Sequence, residues 1–231
     1  MTTAWLSFAS PPATRGTVYG TALNFRGALA ALGDAVHAAP YGAPPRAPVL
    51  YIKPRNTWIG DGAPIPLPTD HEAVAVGPSL GLVIGRAARR IDPAVALEHV
   101  LGYTLVNDLA LPHASYFRPA LRQQCRDGFC AIGTEVVDCG RVRNADALEI
   151  RVWVDGALRL ASNTAEMIRP IRQLIADVSE FMTLQAGDML LTGLPAKLPL
   201  ARAGERVALE IEGVGRLENP VVAEKALPSA A

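Results

Sequence analysis

Hydrophobic periodicity divides the chain into many strands and few helices. Leu148, Ile150, Val152 and Val154 alternate with Glu149, Arg151 and Trp153, and Asp155-Gly156 follows as a two-residue turn. That stretch, Leu148 to Leu160, reads as a β-hairpin. Val207, Leu209 and Ile211 alternate in the same way within Glu205 to Val222, with a turn at Gly213-Val214-Gly215. Continuous apolar runs mark buried strands at Leu80 to Ile84 and Tyr103 to Leu111, and Thr17 to Leu23 and Asp188 to Gly193 also read as extended. One segment has helical spacing: Met167, Ile168, Ile171, Leu174, Ile175, Val178, Phe181 and Met182 recur three or four apart. Asn163 and Glu166 form a possible capping pair there, but Pro170 moves the start of regular helix to itself. Two smaller helices are expected, over Gly27 to Ala39 and after Asp92-Pro93, the latter carrying Val95, Leu97 and Val100 towards the core. The sum is mainly β with a few helices, an α+β class, in one domain over 16–231 behind an extension over 1–15.

The stretch Tyr51 to Leu67, YIKPRNTWIGDGAPIPL, departs from this regularity. Its glycines and prolines exclude a helix and fix an irregular path. Val49 and Ile52 read as core residues on the approach. Lys53 and Arg55 alternate about Pro54, which would aim both at one cavity and suit a ligand bearing carboxylates. The plainer alternative is a surface turn with two solvated cations. Asp108, among apolar neighbours in YTLVNDLAL, needs a partner if buried.

Composition narrows the function. Half of the 231 residues are hydrophobic, which excludes global disorder and suggests extensive burial. Twenty-two basic residues balance twenty-two acidic ones, so nothing draws the chain to nucleic acid or anionic membrane, and an anion site must be built from local cations. No run approaches a membrane-spanning length, and the first residues lack a basic leader, so a cytoplasmic protein is expected. Cys125, Cys130 and Cys139 form no CxxC pair and no even disulfide set, as for reduced thiols. No nucleophile elbow, P-loop or dinucleotide fingerprint is present.

Five segments in order resemble the fumarylacetoacetate hydrolase superfamily: ALNF at Ala22, YIKPRNTWIGDG at Tyr51, LVIGR at Leu82, GYTLVND at Gly102 and LQAGDMLLTGLP at Leu184. The resemblance runs from about Gly16 to Val222. It implies the superfamily's mixed β-roll or sandwich. Within it, APYGAPPRAPVLYIKPRNT and YFRPALRQQCRDGFCAIG are most similar to the amino-terminal half of the bifunctional decarboxylase/isomerase of homoprotocatechuate (4-hydroxyphenylacetate) degradation, whose halves occur fused or as separate subunits. A chain ending at Ala231 is expected to be the separate first subunit.

The resemblance implies decarboxylation of 5-carboxymethyl-2-oxohex-3-ene-1,7-dioate and isomerisation of the resulting 2-hydroxyhepta-2,4-diene-1,7-dioate. The substrate class is a small polycarboxylate 2-oxo acid, with Mg²⁺ or Mn²⁺ as electron sink. Lys53 and Arg55 are then the catalytic candidates, Asn56, Arg118 and Arg126 the substrate-binding ones, and Asp108 the metal ligand. Arg118 and Arg126 have an alternative in pairing with Asp127, and Asp108 in pairing with an arginine or backbone donors.

The chain also departs from the pattern. The Glu-x-Glu pair that normally supplies metal falls on Gly77 and Ser79, the usual His on Ala28, the active-site Lys on Gln124, and Thr-Gly-Thr-Pro becomes Thr192-Gly193-Leu194-Pro195. These put the metal on this chain in question and leave three expectations: an active subunit, a non-catalytic partner of an active homologue, or an acylpyruvate C–C hydrolase. A homodimer, or a heteromer with a paralogous subunit, is expected.

Overall fold

The computed structural model describes residues 15–113 and 115–224. Among these, the strands are β1 (Val18–Ala22), β2 (Val49–Lys53), β3 (Trp58–Ile59), β4 (Ile65–Leu67), β5 (Val74–Ala75), β6 (Pro78–Ile84), β7 (Val100–Asp108), β8 (Cys130–Ile132), β9 (Val137–Asp138), β10 (Glu149–Val154), β11 (Ala157–Asn163), β12 (Met189–Leu191), β13 (Leu200–Ala201), β14 (Arg206–Ile211) and β15 (Gly215–Ala223). The α-helices are α1 (Arg26–Ala30), α2 (Leu121–Gln124) and α3 (Ile171–Phe181).

One mixed sheet runs in the order β2-β1-β12-β6-β7-β8-β3, with β9 also on β7. A second runs β11-β10-β14-β15-β4, and β13 pairs with β5. The second sheet packs on β6 and β7. β6 is buried along its whole length because it has cover on both faces. Leu80, Leu82 and Ile84 join the main core with Ile150, Val152 and Leu209, while Val83 packs behind the sheet with Val106, Met189 and Trp58. This accounts for the unbroken apolar run in place of alternation. β10 keeps the alternation, with every second residue buried. Its hairpin turn has positive φ at both Asp155 and Gly156, the backbone that a tight two-residue connection requires.

Helix α3 begins at Ile171 behind Pro170, and Leu174, Ile175 and Val178 are buried along one side. Asn163 caps a separate 3₁₀ turn, accepting from the Ala165 amide, while Glu166 accepts from the Ser162 hydroxyl. Four expectations are corrected. The helix over Gly27 to Ala39 divides into α1 and a 3₁₀ turn at Gly33–His37, because Gly33 has φ of +52°. Pro93–His99 is 3₁₀ rather than α, capped by Asp92 as anticipated, and Val95 points to solvent. Phe181 is exposed at the end of α3. Ile52 is 51% exposed, because its neighbours on β2 take the inward face. Among the described residues no helix is long and apolar enough to cross a membrane.

Candidate active site

Strand β2 lies at a sheet edge, antiparallel to β1, with Tyr51 opposite Gly20 and Lys53 opposite Val18. Tyr51 and Lys53 are two residues apart, so both side chains leave the same face. The Tyr51 ring lies directly over Gly20, where a β-carbon would come within 2.1 Å of it. Any side chain at position 20 would displace the ring.

Both residues meet Asp108 at the end of β7. Lys53 Nζ is 2.8 Å from Asp108 Oδ1 and also donates to the carbonyls of Leu109 and Gln124, each at 2.8 Å. An ammonium has three hydrogens, and all three are used. The Tyr51 hydroxyl donates to Asp108 Oδ2. Burial pushes the Tyr51 phenol well above its ordinary range, and the Asp108 charge adds to that, so it stays protonated. The two side chains of the ion pair are 0% and 3% exposed, so this is a sealed, charge-compensated unit.

The cations expected to converge do not. Lys53 is fully buried against Asp108. A 3₁₀ turn at Arg55–Thr57 ends the alternation, and the Arg55 guanidinium sits exposed, 5.5 Å from the Trp58 ring centroid. Asn56 ties its loop to the Cys125 carbonyl at 3.1 Å and to Asp127 Oδ1 at 2.7 Å. Arg126 pairs with Glu224 at 3.4 Å rather than with Asp127. Arg118 is exposed and lines a cavity of about 430 Å³ together with His113 and Phe117.

The residues here do not fit Mg²⁺ or Mn²⁺. Such a cation needs several oxygen ligands, yet both Asp108 oxygens are engaged, and no group of three His, Cys, Asp or Glu side chains converges among the described residues. Ser79 Oγ donates to the Gly193 carbonyl at 3.0 Å. Gly77 lies against Asp108, whose amide donates to the Gly77 carbonyl at 2.7 Å.

A second cavity, about 190 Å³, lies between β1 and the loop after β12. Ala28, Gln124 and Leu194 all line it, with Thr21, Tyr51 and Lys197. It adjoins the Arg118 cavity, since Ala22, Tyr51, Tyr116 and Gln124 border both. Three positions of departure from the family pattern therefore share one cavity, and Gly77 adjoins it through Leu194, whose Cδ1 would lie 3.1 Å from a β-carbon at 77. Sequence reasoning missed Tyr51, whose hydroxyl meets Asp108. The available signal was the period-two relation of Tyr51 to Lys53.

Residues 17–222 match the family model described as fumarylacetoacetate hydrolase, C-terminal. The chain belongs to this family. A curated relative is the 4-hydroxyphenylacetate degradation bifunctional isomerase/decarboxylase of Escherichia coli, 42% identical over 211 residues, covering 91% of this chain and 48% of the relative. The chain thus spans about half the length of the first curated relatives it matches. Among solved structures, the 5-carboxymethyl-2-hydroxymuconate delta-isomerase of Mycobacterium smegmatis superposes with a TM-score of 0.78 at 30% identity, over 94% of this chain and 82% of that one. A fumarylpyruvate hydrolase of Pseudomonas aeruginosa, in complex with Mn²⁺ and pyruvate, has a TM-score of 0.77 over 95% of this chain and all of its own. Its 22% identity speaks to the fold of this fumarylacetoacetate hydrolase family member alone.

Proposed function

We propose that this chain serves in 4-hydroxyphenylacetate degradation as one half of a 5-carboxymethyl-2-oxohex-3-ene-1,7-dioate decarboxylase and 2-hydroxyhepta-2,4-diene-1,7-dioate isomerase. In this reading it binds the polycarboxylate 2-oxo acid, and metal-dependent turnover belongs to a homologous, carboxylate-bearing unit. Identity to the E. coli isomerase/decarboxylase over nearly the whole chain supports the pathway. The observation that carries the division of labour is local. Lys53 and Tyr51 occupy both oxygens of Asp108, while the positions of the paired glutamates hold Gly77 and Ser79.

The hydrolase alternative is weaker. Cleaving a C–C bond with water calls for a base beside the bond, and the cavity that gathers Ala28, Gln124 and Leu194 is lined by neither histidine nor carboxylate. The arrangement suits holding an anion, not activating water. The proposed partner is a paralogous half, fused or separate, and the proposed compartment is the cytoplasm.

The test is a turnover assay with 5-carboxymethyl-2-oxohex-3-ene-1,7-dioate, using this chain alone and mixed with a homologous half that retains Glu-x-Glu. CO₂ release only in the mixture, lost on adding EDTA, is the expected result. Full EDTA-sensitive activity of this chain alone would refute the reading.

A further inference from the structure

We propose that a second copy of this chain docks on the C-terminal end of α3, Phe181 of each copy entering a groove on the other and Glu180 meeting Arg46 and Arg90 across the contact. This contact goes beyond the proposed reaction and does not depend on it.

Phe181 continues the three-and-four spacing that buries Leu174, Ile175 and Val178, yet it is 61% exposed. Beside it lies a groove of about 600 Å³, formed by the C-terminal half of α3, the segment 46–48 ahead of β2 and the segment 90–93 after β6. Pro48, Ile91, Pro93 and Ala176 give the groove an apolar lining. In a two-fold contact one patch must supply both the projecting group and the slot that receives it, and this patch holds both.

The charges divide in the same way. Asp177 is already engaged, with Arg169 Nε 3.0 Å from Oδ2 and Gln173 Nε2 2.6 Å from Oδ1. Arg46, Arg90 and Glu180 also line the groove, and their side chains have no hydrogen bond or ion pair among the described residues. Glu180 stands in the last turn of α3, which holds no basic residue, so its carboxylate faces the negative end of the helix uncompensated. A two-fold contact brings that carboxylate to two guanidiniums of the other copy. A purely acidic or purely basic partner would answer one of these signs and oppose the other.

The walls are held in place before any contact forms. The Arg169 guanidinium donates to the Arg46 carbonyl at 2.6 Å, and the amides of Arg90 and Ile91 donate to Ser179 O and Oγ at 2.7 and 3.2 Å. Docking on a surface already fixed costs little ordering. The other broad apolar exposure, Ile52 with Phe117 and Leu121, borders the candidate active site and is lined by no carboxylate, so it lacks this self-complementarity.

Sedimentation velocity on the full chain, across nanomolar to micromolar concentrations, tests the inference. Wild type is expected to form a dimer with a dissociation constant of about 1 µM or tighter. Phe181→Ser should weaken it at least about a hundredfold, because each dimer loses two anchors. The far-UV circular dichroism of that variant should stay that of wild type, because the lost side chain is exposed within one chain. Glu180→Arg should weaken the dimer about tenfold, and adding Arg46→Glu and Arg90→Glu should restore most of the affinity by exchanging the signs. A wild type that stays monomeric, a dimer indifferent to Phe181→Ser, or a triple variant no tighter than Glu180→Arg alone would overturn the contact. A chain that is monomeric by itself but joins a homologous half through Phe181 would also overturn it, and would assign the face to that half.

Discussion

Gly77 and Asp108 are packed backbone to backbone: a β-carbon on Gly77 would lie 2.2 Å from the Asp108 carbonyl oxygen. The neighbour is main chain, so no side chain can swing away to make room. The glycine is thus more than a missing carboxylate. It lets the segment before β6 close against the end of β7, into the space that a glutamate stem would need.

It follows that writing the glutamates back should not by itself restore a metal site. Gly77→Glu with Ser79→Glu is expected to cost about 1 to 3 kcal/mol from overpacking, and to lose the Ser79 hydrogen bond to Gly193 as well. Mn²⁺ titration by calorimetry should show no stoichiometric site in the double variant, and urea unfolding should show reduced stability. Tight one-to-one Mn²⁺ binding would mean that the strands part easily and that Lys53 releases Asp108.

The buried pair makes a separate prediction about stability. Replacing Lys53 with Met leaves the Asp108 carboxylate sealed from water with only the Tyr51 hydroxyl, a loss of about 3 to 5 kcal/mol. Asp108→Leu strands the ammonium and should cost a similar amount. The double variant removes both charges and should be far less damaged than the sum. A double-mutant cycle read from urea midpoints checks this; additive losses would show that the pair does not act as a unit.

Much of this was legible in the sequence, for identifiable reasons. The β10–β11 hairpin and α3 carry patterns that tertiary contacts do not disturb: period two closed by Asp155-Gly156, and period 3.6 started by Pro170. The cation cluster was misread because alternation was extended through Pro54, whereas β2 ends at Lys53 and the chain turns there. Asp108 was correctly seen to need a partner, but that partner is a lysine 55 positions earlier on another strand, a distance over which no local pattern carries information.

Cys130 sets an alkaline limit on the fold. Burial pushes its thiol up to about 12 from an ordinary 9.0, with Lys53 opposing that shift and Asp108 reinforcing it. Well below pH 9 the thiol is protonated in both folded and unfolded chains, and it contributes no pH dependence. Between pH 9 and about 12 only the unfolded chain gives up the proton, so stability falls, by at most about 1.4 kcal/mol per pH unit for this group. Tyr51 acts with the same sign, starting near its ordinary 10.0. Urea midpoints at pH 8, 9 and 10 should fall less steeply for Cys130→Ala than for wild type; parallel slopes would exclude the thiol as the cause.

The arginines separate binding from structure. Arg126 pairs with Glu224 with both side chains substantially exposed, an arrangement worth at most about 1 kcal/mol, and Arg55 rests on Trp58 away from either cavity. Arg55→Ala and Arg126→Ala should therefore leave the affinity for heptanedioate, an unreactive seven-carbon analogue of the proposed diacid substrate, within about twofold of wild type. Arg118 lines the larger cavity, and Arg118→Ala should weaken binding about tenfold with little change in Tm, because an exposed side chain is lost and no buried one is stranded. The wall that positions it depends on Tyr41, whose hydroxyl accepts from the Tyr116 amide at 2.8 Å and whose ring packs edge-on against Phe117. Tyr41→Phe keeps the ring contact and removes the acceptor, so it should lower affinity less than Arg118→Ala, and adding it to Arg118→Ala should cost little more. If Arg126→Ala proved the damaging variant and Arg118→Ala silent, the diacid would have to enter from the Glu224 side, and the two cavities would not form one site.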